Sequence, residues 1–120
     1  MSNDLTAAQC DFCGKKWSMM DHRWMCHHCR PVQIRTEQDV VYNADPQWLV
    51  CHECNALIEQ KEWKALAVRA ADTHPDRKVT DYRWLVRTCY AINQAFANSW
   101  IRSHFLHEER DCLVRLPQVH

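Results

Sequence analysis

Eight cysteines and eight histidines in a chain of 120 residues are the side chains best able to do chemistry here. Six of the cysteines form three C-x-x-C pairs: Cys10-Asp-Phe-Cys13, Cys26-His-His-Cys29 and Cys51-His-Glu-Cys54. Two cysteines separated by two residues in a tight turn can place both sulfurs on one metal ion. Zinc is the expected ion, being redox-inert, tetrahedral and satisfied by four thiolate or imidazole ligands. Gly14, the only glycine of the chain, directly follows the first pair. In a metal-binding knuckle the chain doubles back at that point, and the residue there takes a positive φ that glycine adopts at almost no cost. Lys15 and Lys16 come next and would offset thiolate charge.

Two pairings fit these spacings. Cys10 and Cys13 with Cys26 and Cys29, separated by residues 14–25, have the compact spacing of a zinc finger or ribbon. Cys10 and Cys13 with Cys51 and Cys54 give a knuckle, a hairpin and then a C-x-x-C in the first turn of a helix, the treble-clef order. In either case Cys51 and Cys54 are good ligands, because the positive end of a helix favours the thiolate that a metal needs.

The segment Trp48-x-x-Cys51-x-Glu53-Cys54-x-Ala56-Leu57-Ile58-Glu59, continuing to Ala65-Leu66-Ala67 and Arg69-Ala70, resembles a family of small four-cysteine proteins of bacteria and phages. In that family a CDFC pair precedes the W-x-x-C-x-E-C-x-A-L-I-E helix. The match covers about residues 10–70. The resemblance implies one zinc held by Cys10, Cys13, Cys51 and Cys54 and a treble-clef-like fold. It implies no activity, and a phage or mobile-element origin with a role as inhibitor or adaptor would fit it. The chain departs from the pattern in carrying CHHC at 26–29 and a further long helix. By the logic of cross-brace zinc folds, Cys26 and Cys29 would pair with His104 and His107, three apart on a helix, as a second site. His22, His27, His28 and Cys112 are the alternatives.

One enzyme pattern is visible. Asp21-His22, Asn43 and Asn55 occur in the order of the Asp-His, Asn and Asn of HNH-type nucleases. By that resemblance His22 would activate water and Asn55 would sit at a divalent metal. The glycines that precede the middle Asn in that family are absent, and CHHC occupies the space such a site needs. A zinc deaminase would require an H-x-E before a P-C-x-x-C, which the chain lacks. Four-thiolate sites are closed to water and substrate, so the expected protein is not an enzyme, with no catalytic residue and no small-molecule substrate.

The elements that must position these residues follow from pattern. Val32–Arg35 and Val40–Tyr42 flank the polar Thr36–Asp39 and read as a hairpin. Asn43–Pro46 reads as a turn, and Trp48–Val50 leads into the third cysteine pair. No breaker interrupts His52–Thr73, where Leu57, Ile58, Leu66, Ala67 and Ala70 recur at helical spacing. His74-Pro75 ends that helix. A longer one is expected over Val79–Arg110, with Leu85, Cys89, Ile92, Phe96 and Trp100 as its apolar stripe. The fold class is therefore α+β and helix-rich. A treble-clef-like zinc module over residues 10–73 carries a C-terminal helical part over 76–112, within a single domain of 1–120.

Composition narrows the partners. A hydrophobic fraction of 47% with 25% charged residues suits a folded globular chain. Fifteen basic side chains balance fifteen acidic ones, which disfavours a dedicated nucleic-acid binder. The local basic set Arg77, Lys78, Arg83 and Arg87, with Trp84 as a stacking platform, keeps nucleic acid as the alternative partner. No apolar run reaches membrane-spanning length and MSNDLTAAQ has no signal-peptide pattern, so a cytoplasmic protein with reduced cysteines is expected. Six tryptophans favour a protein partner. Trp48 and Trp100 are expected in the core. Trp17, Trp24, Trp63 and Trp84 are candidates for display, with Trp63, Trp84, Arg83 and Arg87 as the docking residues.

Overall fold

The β-prone runs around Thr36–Asp39 do pair. In a computed structural model that describes residues 9–18, 21–35, 39, 41–44 and 46–106, β2 (Val32–Arg35) and β3 (Val41–Ala44) form an antiparallel hairpin with Ile34 opposite Tyr42. It stands apart from a three-stranded sheet of β1 (Met25–Cys29), β4 (Gln47–Val50) and β5 (Trp100–Phe105), in the order β4-β1-β5. All pairings are antiparallel. Cys26 lies opposite Leu49 on one side and His104 on the other, and the β1–β5 register slips between His28 and Cys29.

Among the described residues three helices follow β4: α1 (His52–Glu59), α2 (Trp63–Asp72) and α3 (Tyr82–Ser99). The single helix expected over 52–73 is thus two. Glu59 ends α1, and Lys61 takes a φ of 58°. The Lys61 N–H then donates to Ile58 O at 3.0 Å and the Glu62 N–H to Leu57 O at 2.9 Å. This bonding satisfies the last carbonyls of α1 and turns the chain, as glycine usually does at helix ends. Lysine carries no sequence signal for it.

The helix expected to run to Arg110 ends at Ser99 instead. There Ser99 Oγ donates to Ala95 O at 2.7 Å, and Arg30 donates from its N–H to Ser99 O and from Nη2 to Asn98 O. A cation and two donors thereby cap the negative end of α3. The chain continues extended because β1 offers an open edge, a tertiary pairing that local spacing does not encode. Leu85, Cys89 and Phe96 keep the expected buried stripe. Trp100 does not: it lies on β5 and is 47% exposed.

The main core gathers Phe12, Trp17, Trp24, Trp48, Leu49, Val50, Leu66, Phe96 and Leu106 around the cysteines. Phe96 is its hub, with ring contacts to Phe12, Trp48 and His27 at 5.2–5.3 Å and to Trp63 at 6.4 Å. Trp17 and Trp24 are therefore buried, contrary to their expected display, because α3 supplies the interior that the metal module lacks by itself. A second core packs α2 on α3 through Ala67, Ala70 and Ala71 on one helix and Leu85 and Cys89 on the other. Asn93 Nδ2 donates to Trp63 O at 2.9 Å and pins α3 to the start of α2.

Candidate metal centre

Cys10-Asp-Phe-Cys13-Gly14 closes as a knuckle. The Gly14 N–H donates to Cys10 O at 2.9 Å and the Cys10 N–H to Lys15 O at 2.8 Å. Gly14 has the expected positive φ, 76°, and a Cβ added there would meet nothing within 4 Å. Its requirement is therefore one of backbone conformation, not of space. Asp11 seats the knuckle on β4, its N–H donating to Leu49 O at 2.8 Å and its Oδ2 accepting from the Leu49 N–H at 2.7 Å. Two residues beyond Leu49 the strand delivers Cys51, which caps α1 by accepting from the Cys54 N–H at 3.5 Å.

The result brings Cys10, Cys13, Cys51 and Cys54 together, all buried, with their sulfurs within 4.8 Å of one another. Cys13 Sγ and Cys51 Sγ are 3.6 Å apart. Four thiolates around a tetrahedral ion at about 2.3 Å place neighbouring sulfurs about 3.8 Å apart, so the cluster fits a metal ion of that kind. Arg69, on α2, aims its guanidinium at the cluster, with Nε 3.3 Å from Cys54 Sγ and Nη2 3.8 Å from Cys13 Sγ. Lys15 pairs with Glu53 at 3.3 Å on the exposed side.

The thiols titrate as a unit. Hydrogen bonding, chiefly from Cys10, holds Cys13 well below the usual thiol range and brings Cys51 down to about 7. Cys10 is raised, chiefly through Cys13, and Cys54 is raised, chiefly through Cys10. Four acids at one locus cannot all ionise without a counter-charge, so some keep protons that they share with the others. A divalent cation replaces those protons and lets all four become thiolates.

The candidates for a second site are brought together only in part. Cys29 turns inward, its Sγ 3.8 Å from Phe96 O, and burial raises its thiol. It does not join Cys26, since residues three apart on a strand point to opposite faces. His104 lies on β5 and not on a helix, and His107 and Cys112 lie outside the described residues. His104 instead meets Cys26 and His28. Cys26 is in the disulfide form in this structure, at odds with the expectation of reduced cysteines throughout. Trp63 and Trp84 are half-buried against the two cores, while Arg83 and Arg87 are exposed.

The residues of the HNH pattern make different contacts. Asp21 accepts from Trp24 Nε1 at 2.8 Å, and His22 lines a shallow recess with Ser18, Asp21 and Arg23. Asn43 is exposed on β3. Asn55 is buried and belongs to a polar chain that sequence reading missed. Trp100 Nε1 donates to His27 Nδ1 at 3.2 Å, so His27 carries its proton on Nε2 and donates it to Asn55 Oδ1 at 2.8 Å. Asn55 Nδ2 then donates to Glu59 Oε2 at 3.1 Å. Desolvation lowers the His27 pKa, consistent with a neutral ring. This chain runs beside a cavity of about 520 Å³ walled by Trp63, Phe96 and Trp100. Only the residue types of CHHC and Asn55 hinted at it; their partnership depends on the β1–α1 packing.

Comparison with protein-family models, with curated proteins and with solved structures finds no match. No helix among the described residues is long and apolar enough to cross a membrane.

Proposed function

We propose that this is a non-enzymatic, zinc-stabilised interaction module that docks on another protein. The four-cysteine cluster is its structural zinc site, in a treble-clef-like arrangement of knuckle, hairpin and helix. A site of four thiolates supplies every coordination position from the protein and leaves none for water or substrate, which supports a structural over a catalytic role. The resemblance to small four-cysteine proteins of bacteria and phages supports a role as inhibitor or adaptor in that setting.

The observation that carries the docking reading is strand β5. Among the described residues it is an edge of the three-stranded sheet, and Trp100, Ile101 and Phe105 on it are 43–54% exposed. Large apolar side chains along a sheet edge suit a partner that adds an extended segment to that edge. The docking residues move accordingly, from Trp63 and Trp84 to Trp100, Ile101 and Phe105. The test is co-purification of a stoichiometric protein partner from source cells. Trp100→Asp or Ile101→Asp should abolish it, and Val79→Asp, at an exposed apolar residue off the strand, should not. Retention by the β5 variants, or DNA cleavage that His22→Ala removes, would show the reading to be wrong.

A further inference from the structure

Residues two apart on a strand share a face, and residues directly opposite on paired strands share it too. Cys26 and His28 are two apart on β1, and His104 lies directly opposite Cys26 on β5. The three side chains therefore converge on one face of the sheet. His28 Nε2 is 3.8 Å from Cys26 Sγ and 2.9 Å from His104 Nε2, and all three donor atoms lie within 4.8 Å of one another. Cys26 is fully buried and the two histidines half-buried, so the donors sit at the floor of the face and not on open surface.

The tautomers at this cluster suit a cation. His104 Nδ1 is 2.9 Å from Phe105 O, and only an N–H can make that contact with a carbonyl. His104 Nε2 is then left as a lone pair directed at His28 Nε2. Two ring nitrogens at 2.9 Å can share one proton at most. A backbone carbonyl that fixes the tautomer and orients the ring is also the usual outer support of a metal-ligating histidine. Around a tetrahedral ion with nitrogens at about 2.0 Å, the two Nε2 atoms would be about 3.3 Å apart, so a few tenths of an ångström of side-chain movement admits the ion.

We propose that Cys26, His28 and His104 form a second metal site, separate from the four-cysteine centre, that takes a divalent transition-metal ion of the zinc type. One thiolate and two imidazoles are a borderline-soft donor set suited to zinc or cobalt and not to magnesium or calcium. The site belongs to the reduced protein, because Cys26 is in the disulfide form here. A trialkylphosphine splits that S–S bond, taking one oxygen from water to become the phosphine oxide and leaving two thiols. On binding, the ion displaces the Cys26 thiol proton to solvent, and the proton between the two histidines moves to His28 Nδ1, so that both rings bind through Nε2 as neutral imidazoles.

The test is elemental analysis of the zinc-loaded full chain in phosphine reductant and after reoxidation. The reduced wild type should carry about two zinc ions per chain, and His28→Ala, His104→Ala and Cys26→Ser about one each, with unchanged far-ultraviolet circular dichroism. Reoxidation should return the wild type to about one. Cobalt titration of the protein with its first site already zinc-filled should give a thiolate-to-cobalt band that Cys26→Ser removes. A reduced wild type that binds one zinc, or a His104→Ala variant that keeps two, overturns the proposal. The four-cysteine centre is judged separately: its ion should disappear with Cys51→Ser, whatever happens at Cys26.

Discussion

At the scale of single residues, Gly14 and Arg69 support the centre for different reasons. Gly14 sits at φ 76° in open space, so alanine there meets no clash and pays only for the left-handed backbone. Gly14→Ala should lower the unfolding free energy of the metal-loaded protein by about 1–2 kcal/mol in urea titration, and Gly14→Asn by less, since Asn tolerates that conformation. Arg69 neutralises part of the charge that four thiolates would bring to one buried locus. Arg69→Gln should weaken zinc about tenfold or more in competition with a chromogenic chelator, the usual cost of losing an outer-shell partner. The Gly14 conformation was legible from its place after CDFC. Arg69 was not, because its approach to Cys54 depends on how α2 folds back on α1.

At the scale of elements, the hairpin was legible from local pattern in Val32–Arg35 and Val40–Tyr42, but its second strand, Val41–Ala44, takes in Asn43 and Ala44, which were read as part of a turn and which pair with Gln33 and Val32. Two helix ends were not legible. The α1–α2 break rests on Lys61, a residue with no turn preference, held at positive φ by two carbonyls that need donors. Glycine would meet the same need without strain, so Lys61→Gly should stabilise the protein by about 1 kcal/mol in thermal or denaturant unfolding. The end of α3 was hidden because Trp100–Phe105 has its hydrogen-bond partners on β1, far away in sequence. The Cys26–His28–His104 cluster was legible in part: Cys26 and His104 were read as ligands of one site and His28 as an alternative, but the C-x-x-C spacing suggested Cys29 as the partner of Cys26 and the helical reading suggested His107. The alternation of Cys26 with His28 was the available signal, but only a strand reading of β1 would have used it.

At the scale of the molecule, the centre and the main core are one structure. Cys10, Cys13, Cys51 and Cys54 lie in the same buried cluster as Trp17, Trp24, Trp48 and Phe96. The ion is thus expected to hold the knuckle, β4 and α1 against α2 and α3. Chelation should therefore lower the thermal midpoint steeply and release tryptophan fluorescence from burial at Trp17 and Trp48, with full recovery on adding zinc back. Binding free energy at such sites is folding free energy, on the order of 10 kcal/mol for structural zinc. A midpoint that chelation leaves in place would mean that the helices hold the fold without the ion.

X-ray absorption at the zinc edge of the Cys26→Ser protein tests the central claim most directly, because that variant leaves only the four-cysteine centre to be seen. The account predicts one zinc per chain with about four sulfur neighbours at about 2.3 Å and no nitrogen or oxygen in the first shell. A shell of mixed nitrogen and sulfur, or zinc retained in the same form when Cys51→Ser is added, would contradict it.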